Sequence, residues 1–179
     1  VVLPTPDRVS AMLKATKHNA DEVVGKMRPT ETQEDWSYTV EQVAVNAVMA
    51  GAKPEYFPVI LALAASQVTA IHSSTSSFAA MVVVNGPIRH ALRMNSGLGA
   101  LGPFNHANTT IGRAYCLLSR NLGGGAIPGL TYLGSQGNPL NYSSVCFAEN
   151  EERSPWSPFH VQKGFKPDQS TVSIFRGRT

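Results

Sequence analysis

Charge is scarce in this chain. Asp, Glu, Lys and Arg make up 15% of its 179 residues, against 42% hydrophobic residues. So apolar a composition excludes a disordered chain. A free monomer usually carries more charge, so part of the surface is expected to lie against another chain in a homo- or hetero-oligomer. Cysteine is scarcer still. Cys116 and Cys146 are the two present, far apart, with no C-x-x-C. Both are expected as free buried thiols; a single disulfide between them stays open, though no spacing argues for it. The longest apolar run, Val59 to Ala65, is too short to cross a membrane. No basic region followed by an apolar stretch opens the chain, so no signal peptide is read and a cytoplasmic protein is expected. The net charge is +3, and the basic residues are scattered rather than clustered. No nucleic-acid footprint follows.

What remains is the length for one domain, over 1–179, with a sizeable core. Pro4-Thr5-Pro6-Asp7 predicts a helix capped by Thr5, with Val9, Met12 and Leu13 on its apolar face. A second short helix is predicted from Asp21 to Met27, and a loop over Thr30 to Ser37. Thr39-Val40-Glu41-Gln42 has the form of a capping box, and Gly51 supplies a stop. Pro54-Glu55 starts the next helix, so residues 39–65 read as an αα-hairpin. Ala79 to Val84 is the strongest strand signal, apolar on both faces and closed by Asn85-Gly86-Pro87. Ile88 to Leu92 reads as a short helix. A helix capped by Asn108 or Thr109 runs to Gly123, and strands are predicted over Ser143–Ala148 and Ser170–Phe175. The turn-rich stretch from Ala126 to Asn141 has the length of a functional loop. The fold class expected is α/β or α+β: a small mixed sheet with helices packed on it and an N-terminal αα-hairpin. The chain stops abruptly after the last strand, as one chain or a fragment of a larger enzyme would.

Chemistry concentrates in two stretches. Glu149, Glu151 and Glu152 follow the 143–148 strand, with Arg153, Trp156 and His160 close behind. Strand periodicity would put Glu149 and Glu151 on one face, with Asn150 and Glu152 on the other. Two carboxylates held together separate their pKa values, as an acid and a base require. They could also bind a divalent metal with His106 or His160. The structural alternative is an acidic turn neutralised by Arg153. The second stretch is the glycine- and amide-rich connection from Gly97 to Thr110. Asn105, His106, Asn108, Thr109 and Thr110 would surround an anionic or carbonyl group at a helix entrance, with Arg113 within the helix. Its G-x-G-x-x-G lettering, Gly97 to Gly102, has no strand directly before it and Pro103 after it, so no dinucleotide fingerprint is read. The alternative there is an ordinary glycine-rich loop with a good cap. His18 and His90 read as helix-surface residues, and His72 lies in a Ser/Thr-rich loop.

Ligands in open α/β sheets bind beyond the carboxyl ends of strands. If the 79–84 and 143–148 strands are parallel neighbours, Asn85 and Glu149 leave the same rim and the Gly97–Thr110 connection joins them. The function expected is an enzyme, or enzyme subunit, acting on a small polar or anionic molecule by hydrolase or lyase chemistry. Glu149, Glu151, His160 and His106 are its candidate catalytic residues. Asn85, Asn95, Ser96, Asn105, Asn108, Thr109 and Arg113 are its candidate substrate contacts. The cofactor is unknown, with a divalent metal left open. The rivals are a non-catalytic structural subunit and a thiol-redox partner.

The runs Val48 to Tyr56, Val84-Asn85-Gly86-Pro87-Ile88, Asn95-Ser96-Gly97 and Ala148 to Glu152 resemble an uncharacterised bacterial family associated with UGSC-motif (seleno)proteins. The likeness runs from about Pro4 to Phe175. It implies redox chemistry at a cysteine or selenocysteine but no established reaction. The chain has no Cys-Gly-Ser-Cys, and Ala52 stands where the resemblance implies a cysteine. That speaks against thiol chemistry carried by this chain.

Overall fold

The structure, a computed structural model, describes residues 1–27, 36–70, 78–123 and 145–178. Helix α1 (Pro6–Leu13) begins behind an extended Thr5 with Pro6 in its first turn, and buries Val9 and Met12. It packs on α2 (Val40–Ala50). The predicted capping box closes both ways. The Thr39 N–H donates to Gln42 Oε1 at 2.9 Å, and the Gln42 N–H donates to Thr39 Oγ1 at 3.4 Å. Gly51 ends α2 in the left-handed region, at φ +84°. A 3-10 turn over Pro54–Tyr56 leads into α3 (Phe57–Ala65), which packs on α2. Phe57, Ile60, Leu63 and Ala64 of α3 are fully buried. Each large apolar side chain so buried contributes about 1.5–3 kcal/mol relative to exposure.

The helix predicted over Asp21 to Met27 is a strand. β1 (Val23–Met27) pairs antiparallel with β2 (Trp36–Thr39), which also replaces the end of the predicted loop. Two β-branched valines and a mid-segment glycine disfavour a helix there. A Cβ on Gly25 would stand 2.7 Å from Gln67 Cγ, so the glycine admits Gln67, whose Oε1 accepts the Lys26 N–H. His18 lies in the turn after α1 rather than on a helix, 2.8 Å from Glu22.

The main sheet is mixed, in the order β4-β3-β5. β3 (Phe78–Asn85) is central. It runs parallel to β4 (Val145–Ala148) and antiparallel to β5 (Thr171–Arg178). Between β3 and β4 the chain forms the short helix α4 (Ile88–Ala91) and the long helix α5 (His106–Asn121). α5 packs on α2, α3 and β4, and its Ile111, Ala114, Tyr115 and Leu118 join Val82 and Val84 in the core. α6 (Phe159–Gln162) is one turn long. This is the expected class, helices packed on a small mixed sheet. Predicted features at Ile71–Ser77, Ala126–Asn141 and Ser143 fall outside the described residues. No helix among the described residues is long and apolar enough to cross a membrane.

Candidate functional sites at the sheet rim and the α5 entrance

The parallel register pairs Val84 with Ala148, so β3 and β4 end side by side. The Glu149 N–H donates to Val84 O at 3.1 Å and carries the ladder one residue further. Asn85 and Glu149 therefore emerge together. The Asn85 amide nitrogen donates to Glu149 Oε2 and, at 3.0 Å, to Glu151 Oε1. The Gly86 N–H adds a second donor to Glu151 Oε1 at 2.8 Å. Gly86 has φ +83°, and a Cβ there would stand 2.2 Å from the Gln169 carbonyl oxygen. Glycine is thus required by both conformation and space.

Arg89, on α4 and 4% exposed, holds the carboxylates in place. Its Nε donates to Gly86 O at 3.1 Å and its Nη1 to Glu149 O at 2.8 Å. Its Nη2 lies 2.9 Å from both Glu151 Oε2 and Glu152 Oε1. His90 Nε2 reaches Glu152 Oε1 at 3.0 Å. The hydrogen bond from Arg89 is the main reason Glu152 titrates low, at about 2. A depressed carboxylate stabilises the fold above its ordinary pKa of about 4.5 and loses that contribution as the pH falls through about 2. Glu152 is half-exposed, so solvent screening keeps the effect small.

Glu149 Oε2 also accepts the Phe159 N–H at 2.9 Å, which brings α6 to the rim. His160 is thereby buried, at 1% exposure, with Nδ1 3.9 Å from Glu151 Oε1. Neither of its ring nitrogens has a hydrogen-bond partner, and neither does Asn85 Oδ1. The structure thus brings Asn85, Glu149, Glu151 and His160 into one cluster. Two details differ from expectation. Arg153 is exposed, and Arg89 supplies the neutralising charge instead. Glu152 joins the same cluster because β4 ends at Ala148 and residues 151–153 form a turn, so alternation stops.

The α5 entrance is organised separately. Asn105, rather than Asn108 or Thr109, caps the helix, its side chain accepting the Asn108 N–H. The Asn108 side chain is spent on the preceding loop. It accepts the Asn95 N–H at 3.2 Å and donates to Asn95 O at 2.9 Å and Ala100 O at 3.2 Å. Asn95 Oδ1 accepts the Gly97 N–H and its amide donates to Leu98 O, so it also shapes the loop. Ser96 is half-buried in that loop, Thr109 Oγ1 is buried without a partner, and Arg113 is half-buried on α5.

His106 lines a different space. A cleft of about 480 Å³ opens between Lys53-Glu55-Tyr56, the Ala91-Leu92-Arg93 turn and Asn105-His106-Ala107. The His106 ring sits 5.8 Å from the ring of Tyr56, tilted by 49°. Burial, and then the nearby Glu55 charge, raise the Tyr56 hydroxyl pKa, so it stays a donor at neutral pH. Lys53 Nζ lies 4.0 Å from Glu55 Oε1. Arg93 is held at φ +53°, a left-handed conformation that non-glycine residues rarely adopt. The first N–H groups of a helix have no intrahelical acceptor, and those of His106 and Ala107 belong to this set. None of Asn85, Glu149, Glu151 or His160 lines the cleft. The single rim expected from sequence is two sites, with α4 between them. Arg89 serves one, and Ala91 to Arg93 the other.

Sequence reasoning missed Arg89, Lys53, Tyr56 and Arg93. Arg89 had a signal: a lone cation in the apolar turn that follows the best strand. Both cysteines are buried and neither forms a disulfide. Burial pushes the Cys146 thiol far up, away from the thiolate that redox chemistry needs. Iodoacetamide is expected to leave both unlabelled in the native protein and to label both after denaturation. Native labelling of Cys146 would contradict the packing around β4. No protein-family model matches the sequence, and no curated protein and no solved structure matches it.

Proposed function

We propose that the chain is an enzyme, or one subunit of one, that binds a small anionic molecule in the Lys53–Arg93–His106 cleft. The observation that carries this reading is the cleft itself. Two cations, an imidazole, a phenol kept protonated and the amino end of a sixteen-residue helix meet in one space of small-molecule size. Glu55 offsets one positive charge, so the formal balance still favours an anion. His106 is the group placed to move a proton at its face, which suits hydrolase or lyase chemistry. Arg93 takes its left-handed conformation where it closes α4, its N–H donating to His90 O and the Met94 N–H to Arg89 O, a position that favours glycine.

That conformation makes the test specific. Glycine tolerates φ +53° without the steric cost of a side chain, about 1 kcal/mol. Arg93→Gly is therefore expected to match or exceed the wild-type melting temperature while losing anion affinity. Inorganic phosphate and malonate, titrated calorimetrically at low ionic strength, are the probes. A lost charge-assisted hydrogen bond is worth roughly 1.5–3 kcal/mol, so Arg93→Gly and Lys53→Ala should each weaken binding about tenfold or more. Arg113→Ala should leave it unchanged. Equal affinity in wild type and Arg93→Gly would remove the cleft from the reading.

A structural-subunit role rests on a separate observation. Leu98, Leu101 and Phe104, in the loop before α5, are 102%, 67% and 85% exposed. An apolar lobe of that kind suits burial in an oligomer. A monomer by light scattering at micromolar concentration would count against it.

A further inference from the structure

We propose that the chain pairs with a second copy of itself, the Phe104 lobe of each copy seated in an apolar pocket between α3, α4 and β5 of the other. The proposal rests on the reading of that lobe as an oligomer contact and names what receives it. It does not depend on the anion cleft, which neither Leu98 nor Phe104 lines. The first half of the match is a built knob. Leu98, Leu101 and Phe104 are 102%, 67% and 85% exposed, yet the loop that carries them is tied down. The Asn95 side chain accepts the Gly97 N–H at 2.9 Å and donates to Leu98 O at 3.0 Å, and the Asn108 amide donates to Ala100 O at 3.2 Å. The Phe104 ring lies over Gly99 and Gly102, and a Cβ on Gly102 would stand 2.9 Å from it. Apolar side chains held out by an already ordered loop cost little further ordering when they bind.

The second half is the pocket. Pro58, Val59 and Ala62 of α3, Ile88 of α4 and Val172 of β5 enclose about 180 Å³. Small-molecule sites run to roughly 300–1,000 Å³ and place a few polar groups to orient the ligand. This space is smaller, and no charged side chain lines it among the described residues. The Ser170 hydroxyl at its wall is already spent, accepting the Ile88 N–H at 3.0 Å. What fits is a single ring or aliphatic side chain brought by another protein surface. Phe104 is such a group, and no lobe residue lines the pocket of its own chain. A second copy brings both halves of the match at once. Exchange about a two-fold axis then fills both pockets and closes the assembly. The area is sufficient. A bare side chain of this size offers on the order of 150 Å², so each lobe brings roughly 400 Å². Two lobes and the surfaces they meet bury about 1,600 Å², the size of a standard interface. The low charge of the chain, 15% of residues, is in keeping with a covered surface.

The test uses the full chain. Light scattering at micromolar concentration should give a dimer for wild type, and Phe104→Asp and Ala62→Glu should each weaken association at least tenfold. Trp156→Asp, at an aromatic residue 74% exposed but outside the match, should stay dimeric. Phe104 and Ala62 are both exposed, so their variants should keep the wild-type circular dichroism spectrum. Should either fail to fold, cross-linking decides the matter. Cys116 and Cys146 are buried, so a bismaleimide reaches only an introduced thiol. A mixture of Leu101→Cys and Ala62→Cys should cross-link, and neither variant alone should. A monomeric wild type would overturn the proposal together with the oligomer reading of the lobe. A dimer lost in Phe104→Asp but kept in Ala62→Glu, or cross-linking by Leu101→Cys alone, would leave that reading standing and overturn the pocket.

Discussion

Arg89→Ala is expected to cost about 3–5 kcal/mol of folding stability, the usual loss when one partner of a buried ion pair is removed. The side chain is 4% exposed and binds Glu151, Glu152, the Glu149 carbonyl and the Gly86 carbonyl. Removing it leaves Glu151, 12% exposed, without its cation. The penalty comes mainly from that stranded charge rather than from lost contacts. Glu151→Gln in the Arg89→Ala background should therefore recover part of the loss. Urea unfolding of the single and double variants supplies the cycle. Additive losses would mean that Arg89 and Glu151 act independently.

Gly86→Ala should be nearly as damaging, at about 3 kcal/mol, for a different reason. The backbone sits at φ +83°, where a side chain is strained. The new Cβ would also meet the Gln169 carbonyl oxygen at 2.2 Å and Ser170 Cα at 2.8 Å. Both are backbone atoms of the segment leading into β5, so the relief must come from shifting that segment. The Gly86 N–H would move with it and release Glu151 Oε1. Thermal unfolding is the readout, and a melting temperature within a degree of wild type would contradict the packing of β5 against the β3 end.

The two variants concern the part of the fold most legible in the sequence. The apolar Ala79–Val84 run announced the central strand, and Asn85-Gly86-Pro87 its end. β3 and β4 pair in parallel, the condition under which the sequence places Asn85 and Glu149 on one rim. Local signals with a mechanism also read correctly, the Thr39–Gln42 capping box above all. What the sequence hid was set by tertiary contacts. Val23 to Met27 is too short for periodicity to separate helix from strand, and its pairing with Trp36–Thr39 decided the matter. Asn105 and Asn108 are equally good cap types, and the reach of Asn108 back to Asn95 and Ala100 left the cap to Asn105. The sequence places His106 with the carboxylates only if the Gly97–Thr110 connection joins the rim that Asn85 and Glu149 leave. α4 stands between them and turns His106 toward Tyr56. Lys53 and Arg93 carried no motif at all; their meeting depends on how the α2–α3 connection packs beside α4.

The imidazole nitrogens of His106 offer the most direct test of anion binding in the cleft. Two-dimensional proton–nitrogen spectra of the full chain can be followed as phosphate is added at constant pH and ionic strength. The account predicts a saturable shift of the His106 ring signals, with His18 and His160 unmoved, and loss of that shift in Arg93→Gly. A His106 ring that stays still while phosphate binds elsewhere, or an identical shift in Arg93→Gly, would contradict it.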